Sequence, residues 1–131
     1  MPVTARIFVS AIALAAASGL ANAQLSPQWQ GCTGNPGIEW DQQIKSCTTL
    51  IQSGQEATEN LSIAYYNRAI AFENKDDDEH AIADYSEAIR LNPSDAEAHF
   101  YRGLARARKG DKAGSDADIA EARRINPNIG K

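Results

Sequence analysis

From Trp40 onward the chain alternates apolar stripes at helical spacing with short polar corners. Ile44, Cys47, Leu50 and Ile51 recur at the interval that puts side chains on one face of an α-helix. Asp41 before them and Gly54 after them supply a start and a stop, so the spacing predicts a helix over 41–54. A second apolar run extends from Leu61 to Glu73, the acidic corner Asp76–Asp78 follows, and Ala81, Ile82, Tyr85, Ala88 and Ile89 form the next stripe. Asp76 with Glu79, and Ser94 with Glu97, read as capping boxes that open helices. Pro93 and Pro127 each end a helix and each follows an Asn, a residue that tolerates the left-handed turn common at helix ends; Gly110 separates the last two helices. The expected architecture is all-α, with about five helices.

The second half of the chain is written twice. "EAIRLNP" at 87–93 returns as "EARRINP" at 121–127, and residues 62–95 overlie 96–129 at an offset of 34. At that offset Ala64 meets Ala98, Tyr66 meets Phe100, Arg68 meets Arg102, Ala69 meets Gly103, Asp84 meets Asp118 and Pro93 meets Pro127. Within the first unit Tyr65, Ala69, Phe72, Ala81, Tyr85, Ala88 and Pro93 alternate aromatic with small residues. In the second, His99, Gly103, Arg106, Ser115, Ile119, Ala122 and Pro127 keep the small residues and the proline while the aromatics drift.

This pattern resembles the tetratricopeptide repeat, a helix–turn–helix unit of about 34 residues. The resemblance implies a short α-solenoid over 58–131 built of two repeats, 62–95 and 96–129. Ala69 and Gly103 are then the places where the second helix of each hairpin comes close, near Ala81 and Ser115, and a bulky side chain there would force the helices apart. Arg68 and Asp84 stand 16 residues apart, as do Arg102 and Asp118, and read as an ion pair inside each hairpin. The helix over 41–54 resembles a lone second helix of the same unit and serves as an N-terminal cap, with Trp29 or Trp40 covering its outer face. The last helix, Ala-rich and charged, either caps itself or is covered by a second copy of the protein.

The first residues change the picture. "MPVTARIFVSAIALAAASGLANAQ" offers Arg6, an apolar run from Ile7, and Ala21-Asn22-Ala23, the layout of a cleavable secretory signal over 1–23. Ile7 to Leu20 is 14 residues, short of the roughly 20 that span a bilayer, so no membrane span is expected after cleavage. The mature chain then begins at Gln24 and is exported, to the periplasm or beyond. Loss of Arg6 leaves 12 basic against 17 acidic residues, a net charge of −5 that argues against a nucleic-acid partner. Export also decides the reading of the two cysteines, because an oxidising compartment lets Cys32 and Cys47 persist as a disulfide. Their separation does not suit the Cys-x-x-Cys arrangement of redox-active thiols. The disulfide would tether 24–40, which reads as an irregular arm because it holds Pro27, Gly31, Gly34, Pro36 and Gly37.

Signatures of catalysis are lacking in the sequence: there is no phosphate loop, no His pair at metal spacing and no nucleophile motif. His80 reads as a solvent-facing residue and His99 as a packing one. "KDDDEH" has neither the alternating acids nor the central glycine of a calcium loop. The expectation is a non-enzyme with no cofactor and no metal. What remains is a surface, and the resemblance implies that first helices line a concave groove for a protein or peptide. Its lining would be Ile63, Tyr66, Ile70 and Glu73 from one unit, with Glu97, Phe100, Leu104 and Arg108 from the next. Ile70 and Leu104 stand where family members that clamp a carboxylate use Asn, so no such clamp is expected. The function expected is an exported interaction module, an adaptor or scaffold. The alternative is a self-assembling envelope protein that oligomerises through its terminal helices.

Overall fold

The computed structural model describes residues 26–131; the leader expected over 1–23 lies outside them. Among the described residues the elements are α1 (Pro27–Cys32), α2 (Trp40–Ser53), α3 (Thr58–Asn74), α4 (Asp78–Leu91), α5 (Ala96–Arg108) and α6 (Lys112–Ile125), with no strand. Each helix packs mainly on its neighbours in sequence, so the chain stacks as a short helical solenoid. The interior falls into two successive clusters, Trp29, Cys32, Cys47, Leu50 and Ala64, then Ala69, Ala81, Tyr85, Ala88 and Ala98. Alanine predominates because close helix crossings leave room for little more than a methyl group.

Six helices stand where the apolar pattern gives five, and the additional one is α1, inside the arm expected to be irregular. Pro27 and Gly31 read as breakers, yet neither breaks this helix. Ser26 accepts a hydrogen bond from the Trp29 backbone N–H, and Pro27 occupies a first-turn position where its missing N–H costs nothing. Gly31 lies at the crossing with α2, where a Cβ would sit 2.8 Å from the Ser46 Cβ. Cys32 and Cys47 form a disulfide, Cα atoms 4.6 Å apart, joining α1 to α2. Gln43 of α2 donates to the Cys32 carbonyl, and also to that of Asn67, each at 3.2 Å. Trp29 is the covering aromatic, 2% exposed with its indole N–H on Glu56, whereas Trp40 is 41% exposed.

The helix on 41–54 is therefore not alone. Shifted by 38 residues, Gly31 and Ser46 fall on Ala69 and Asp84, and 34 further on, Gly103 and Asp118. A Cβ on Gly103 would meet the Asp118 Cβ at 3.2 Å, so the α1–α2 and α5–α6 hairpins cross at equivalent points. We describe α1–α2 as a shortened first unit of the same hairpin.

Two details of helix termination differ from the sequence expectation. Asp77 and Asp95, one residue later than Asp76 and Ser94, cap α4 and α5, accepting from the backbone N–H of His80 and Ala98. Asp76 is otherwise engaged: its φ of 59° closes the end of α3, with Asp77 N–H bonded to the Phe72 carbonyl. Gly110 does the same after α5, at φ 87°. Asn92 and Asn126, by contrast, are extended at φ −138° and −131°, not left-handed. Each precedes a proline, whose ring drives the preceding residue into extended backbone.

Candidate functional site

The helices α3 and α5 lie side by side and run the same way, because α4 returns the chain between them. Tyr66 meets Glu97 and Tyr101, and further along both helices Glu73 meets Arg108. The Tyr66 hydroxyl donates to Glu97 Oε2 at 3.0 Å. Its ring centre lies 5.8 Å from that of Tyr85 on α4 and 6.4 Å from that of Tyr101, while Tyr85 and Tyr101 lie 6.3 Å apart. Three tyrosines from three helices thus form one aromatic body, with Tyr85 fully buried at its base and Tyr101 37% exposed at its surface. Ile63, one turn before Tyr66, is 44% exposed. Ile70 packs partly into the core and Leu104 is half-buried.

Phe100 takes a different direction from its repeat partner Tyr66. Its ring is 5.7 Å from Tyr101, and Gly130 of the C-terminal turn lies on it so closely that a Cβ there would sit 2.8 Å from ring carbons. The structure thus brings Tyr66 together with Tyr101 and Glu97, leaves Ile63 exposed one turn earlier on α3, and places Phe100 against Gly130. Tyr101 is absent from the sequence-derived lining. The 34-residue offset equates Tyr66 with Phe100, but Tyr101 stands four residues after Glu97 and so shares its stripe on α5, a signal present in the sequence.

At the far end of the face, Glu73 accepts from the Tyr85 hydroxyl at 2.7 Å and from Arg108 at 2.6 Å, and Arg108 also holds Asp78 at 2.7 Å. Burial, then the hydrogen bond to Glu97, pushes the Tyr66 hydroxyl far above the ordinary phenol range; burial and Glu73 do the same for Tyr85. Both are fixed neutral donors. Glu97 itself has no cation in contact among the described residues.

His80 is solvent-facing, its Nδ1 2.7 Å from Asp77 and its ring stacked on Phe72. His99 is buried with Nε2 3.0 Å from the Pro93 carbonyl. Among the described residues no group of three or more His, Cys, Asp or Glu side chains is placed to hold a metal. The α3/α5 face offers aromatic and aliphatic area with fixed polar groups at its margins, an arrangement suited to contact.

Compared with protein-family models, residues 75–110 match the TPR repeat, a stretch that takes in α4 and α5 with their bounding turns. No curated protein matches the chain. Repeats of this kind mediate protein–protein interaction. With the helical pairs and the recurring small-residue crossings, this match identifies a tetratricopeptide repeat over residues 75–110, set in an all-helical stack of the kind such repeats build.

Proposed function

We propose that the protein is an exported, non-catalytic adaptor that holds a protein or peptide partner against the α3/α5 face. The observation that carries this reading is Tyr101, exposed where it meets Tyr66 across the two first helices, with Ile63 exposed one turn before Tyr66 on α3. Aromatic residues backed by a rigid, packed layer make good anchors, since little freedom is lost when a partner covers them. The Tyr66–Glu97 and Glu73–Arg108 bonds hold the two helices in register, so the surface is preformed. Export is supported by the leader pattern over 1–23 and by the Cys32–Cys47 disulfide, which suits the periplasm or the cell exterior.

The test is in-cell photo-crosslinking from position 63, with exposed Ala113 on α6 as control. A discrete heterologous product from position 63 alone supports the adaptor. A product of twice the monomer mass from both positions, and nothing else, replaces it with self-assembly.

A further inference from the structure

The apolar stripe on the α3/α5 face begins, on both helices, with an acid. Glu59, Ile63, Tyr66 and Ile70 follow one another along α3 at helical spacing, and Glu97, Tyr101 and Leu104 do so along α5. The two ends of the face are electrostatically unlike. At the end of α5, Arg108 neutralises both Glu73 and Asp78. At its start, Glu97 accepts only from the Tyr66 hydroxyl, a neutral donor, and Glu59 has no cation in contact among the described residues. Several other acids of the repeats do hold a cation, as in Arg68–Asp84, Arg90–Glu87 and Arg124–Glu121. The charged groups acting on the Tyr66 hydroxyl, Glu97 and Asp95, are both acids.

We propose that the segment captured here is basic as well as apolar: a stretch of a partner protein in which a Lys or Arg neighbours a large apolar side chain. The apolar side chain covers Ile63 and the edge of Tyr101, while the cation rests on Glu97 and against the Tyr101 ring. This inference rests on the adaptor reading and gives its partner a chemistry. Covering Glu97 with a purely apolar segment strips water from a carboxylate and returns nothing. An acidic segment adds repulsion, whereas a cation supplies the missing partner and a π face within about 6 Å. Discrimination against acidic and neutral segments then comes from Glu97, and grip comes from the aromatic area.

The experiment selects binders from a displayed library of random dodecapeptides on the purified, oxidised protein and on its Glu97→Gln and Tyr101→Ser variants, each checked for native helicity and melting. Glu97→Gln keeps the shape and the acceptor for Tyr66. The expected result is enrichment of Lys or Arg next to a large apolar residue. Glu97→Gln then weakens an enriched peptide roughly three- to tenfold, without affecting its Lys→Gln counterpart, and Tyr101→Ser weakens both. Enriched apolar peptides without a cation, or basic ones that bind Glu97→Gln equally well, overturn the inference and leave the adaptor standing. Absence of any peptide sensitive to Tyr101→Ser overturns the adaptor reading as well.

Discussion

Arg68 grips Asp84 with two nitrogens, Nε to Oδ2 at 2.7 Å and Nη2 to Oδ1 at 2.8 Å, and with its remaining nitrogen donates to Thr48 of α2 at 3.0 Å. Arg102 repeats the arrangement with Asp118, and reaches back to Ser86 of α4 at 3.1 Å. Each guanidinium therefore ties three helices together, its own, the one it pairs with and one from the preceding unit. Only a planar fork with donors on three sides can do this, which is why Arg and not Lys stands at both positions. The hydroxyl partners Thr48 and Ser86 also occupy equivalent places, 38 residues apart, as expected if α1–α2 is a unit of the same kind.

Asp118 is the more heavily used of the two acids, since Arg106 also donates to it at 2.8 Å and it is only 4% exposed. Asp118→Ala leaves Arg102 without its counter-charge in a poorly solvated place and leaves Arg106 with only Asp111, at 3.9 Å. The expected loss is about 3–5 kcal/mol, read as a lower urea midpoint at unchanged slope. Arg102→Lys keeps the charge but loses the fork, and is expected to cost about 1–3 kcal/mol. A midpoint for Asp118→Ala equal to that of the unmodified protein would show that the three-helix tie contributes nothing to the fold.

The disulfide closes a loop of 15 residues that contains the whole connection between α1 and α2. α1 is only six residues long and is otherwise held by the buried Trp29 and by the Gln43 bond to the Cys32 carbonyl, so the covalent tie adds to a small set of anchors. Joint Cys32→Ala and Cys47→Ala replacement is expected to lower stability by about 3 kcal/mol. Calorimetry of the two forms measures this, and amide exchange should show α1 opening first while α3–α6 remain protected.

How much of this is legible in the sequence differs from element to element. The crossings at Ala69 and Gly103 and the pairing of Arg68 with Asp84 leave a signature because small and charged residues recur at fixed spacing. The α1 helix leaves none, because Pro27 and Gly31 carry two meanings: a proline breaks a helix interior but suits its first turn, and a glycine loosens a helix but also permits a close crossing. The position of the α4 cap depends on which aspartate takes the left-handed turn, and Asp76 and Asp77 are identical in type. On the candidate face, the resemblance to the tetratricopeptide repeat implies that Glu97, Tyr66, Glu73 and Arg108 share one surface, because it sets first helices side by side. Tyr101 cannot be found by equating repeats, since side-by-side helices meet through residues that are not at matching repeat positions.

Tyr66 and Tyr85 give the fold an alkaline limit. Their folded-state ionisation is raised above that of an exposed phenol, by burial first and by Glu97 and Glu73 next, so the unfolded chain releases these protons at lower pH than the folded one. Stability from this source is complete below the unfolded phenol value of about 10 and is lost progressively as pH rises above it. Tyrosinate absorbance from these two rings is therefore expected to appear together with loss of helicity, not before it. In Tyr85→Phe the unfolding-linked absorbance step should shrink while the exposed phenols titrate as before. Full ionisation of the protein's tyrosines with helicity intact would contradict the buried, acid-bonded placement.

Gly31 decides whether the first hairpin is built like the others. In an exposed helix, Gly→Ala is expected to stabilise by about 1 kcal/mol through helix propensity. At Gly31 a Cβ would lie 2.8 Å from the Ser46 Cβ and closer still to its hydroxyl, and the disulfide one residue away keeps α1 from sliding aside. Rotating the hydroxyl relieves one clash but not the other, so the sign reverses and Gly31→Ala is expected to destabilise by about 1–3 kcal/mol. Ser46→Ala in the same chain should recover only the part due to the hydroxyl. A control on the same scale is Ala69→Gly at the equivalent crossing, where removal of a methyl group opens a small void and raises helix entropy cost, expected to lower stability by about 1 kcal/mol. If Gly31→Ala instead raises the thermal midpoint, α1 does not lie against Ser46, and the resemblance of α1–α2 to the later hairpins fails at the point that defines it.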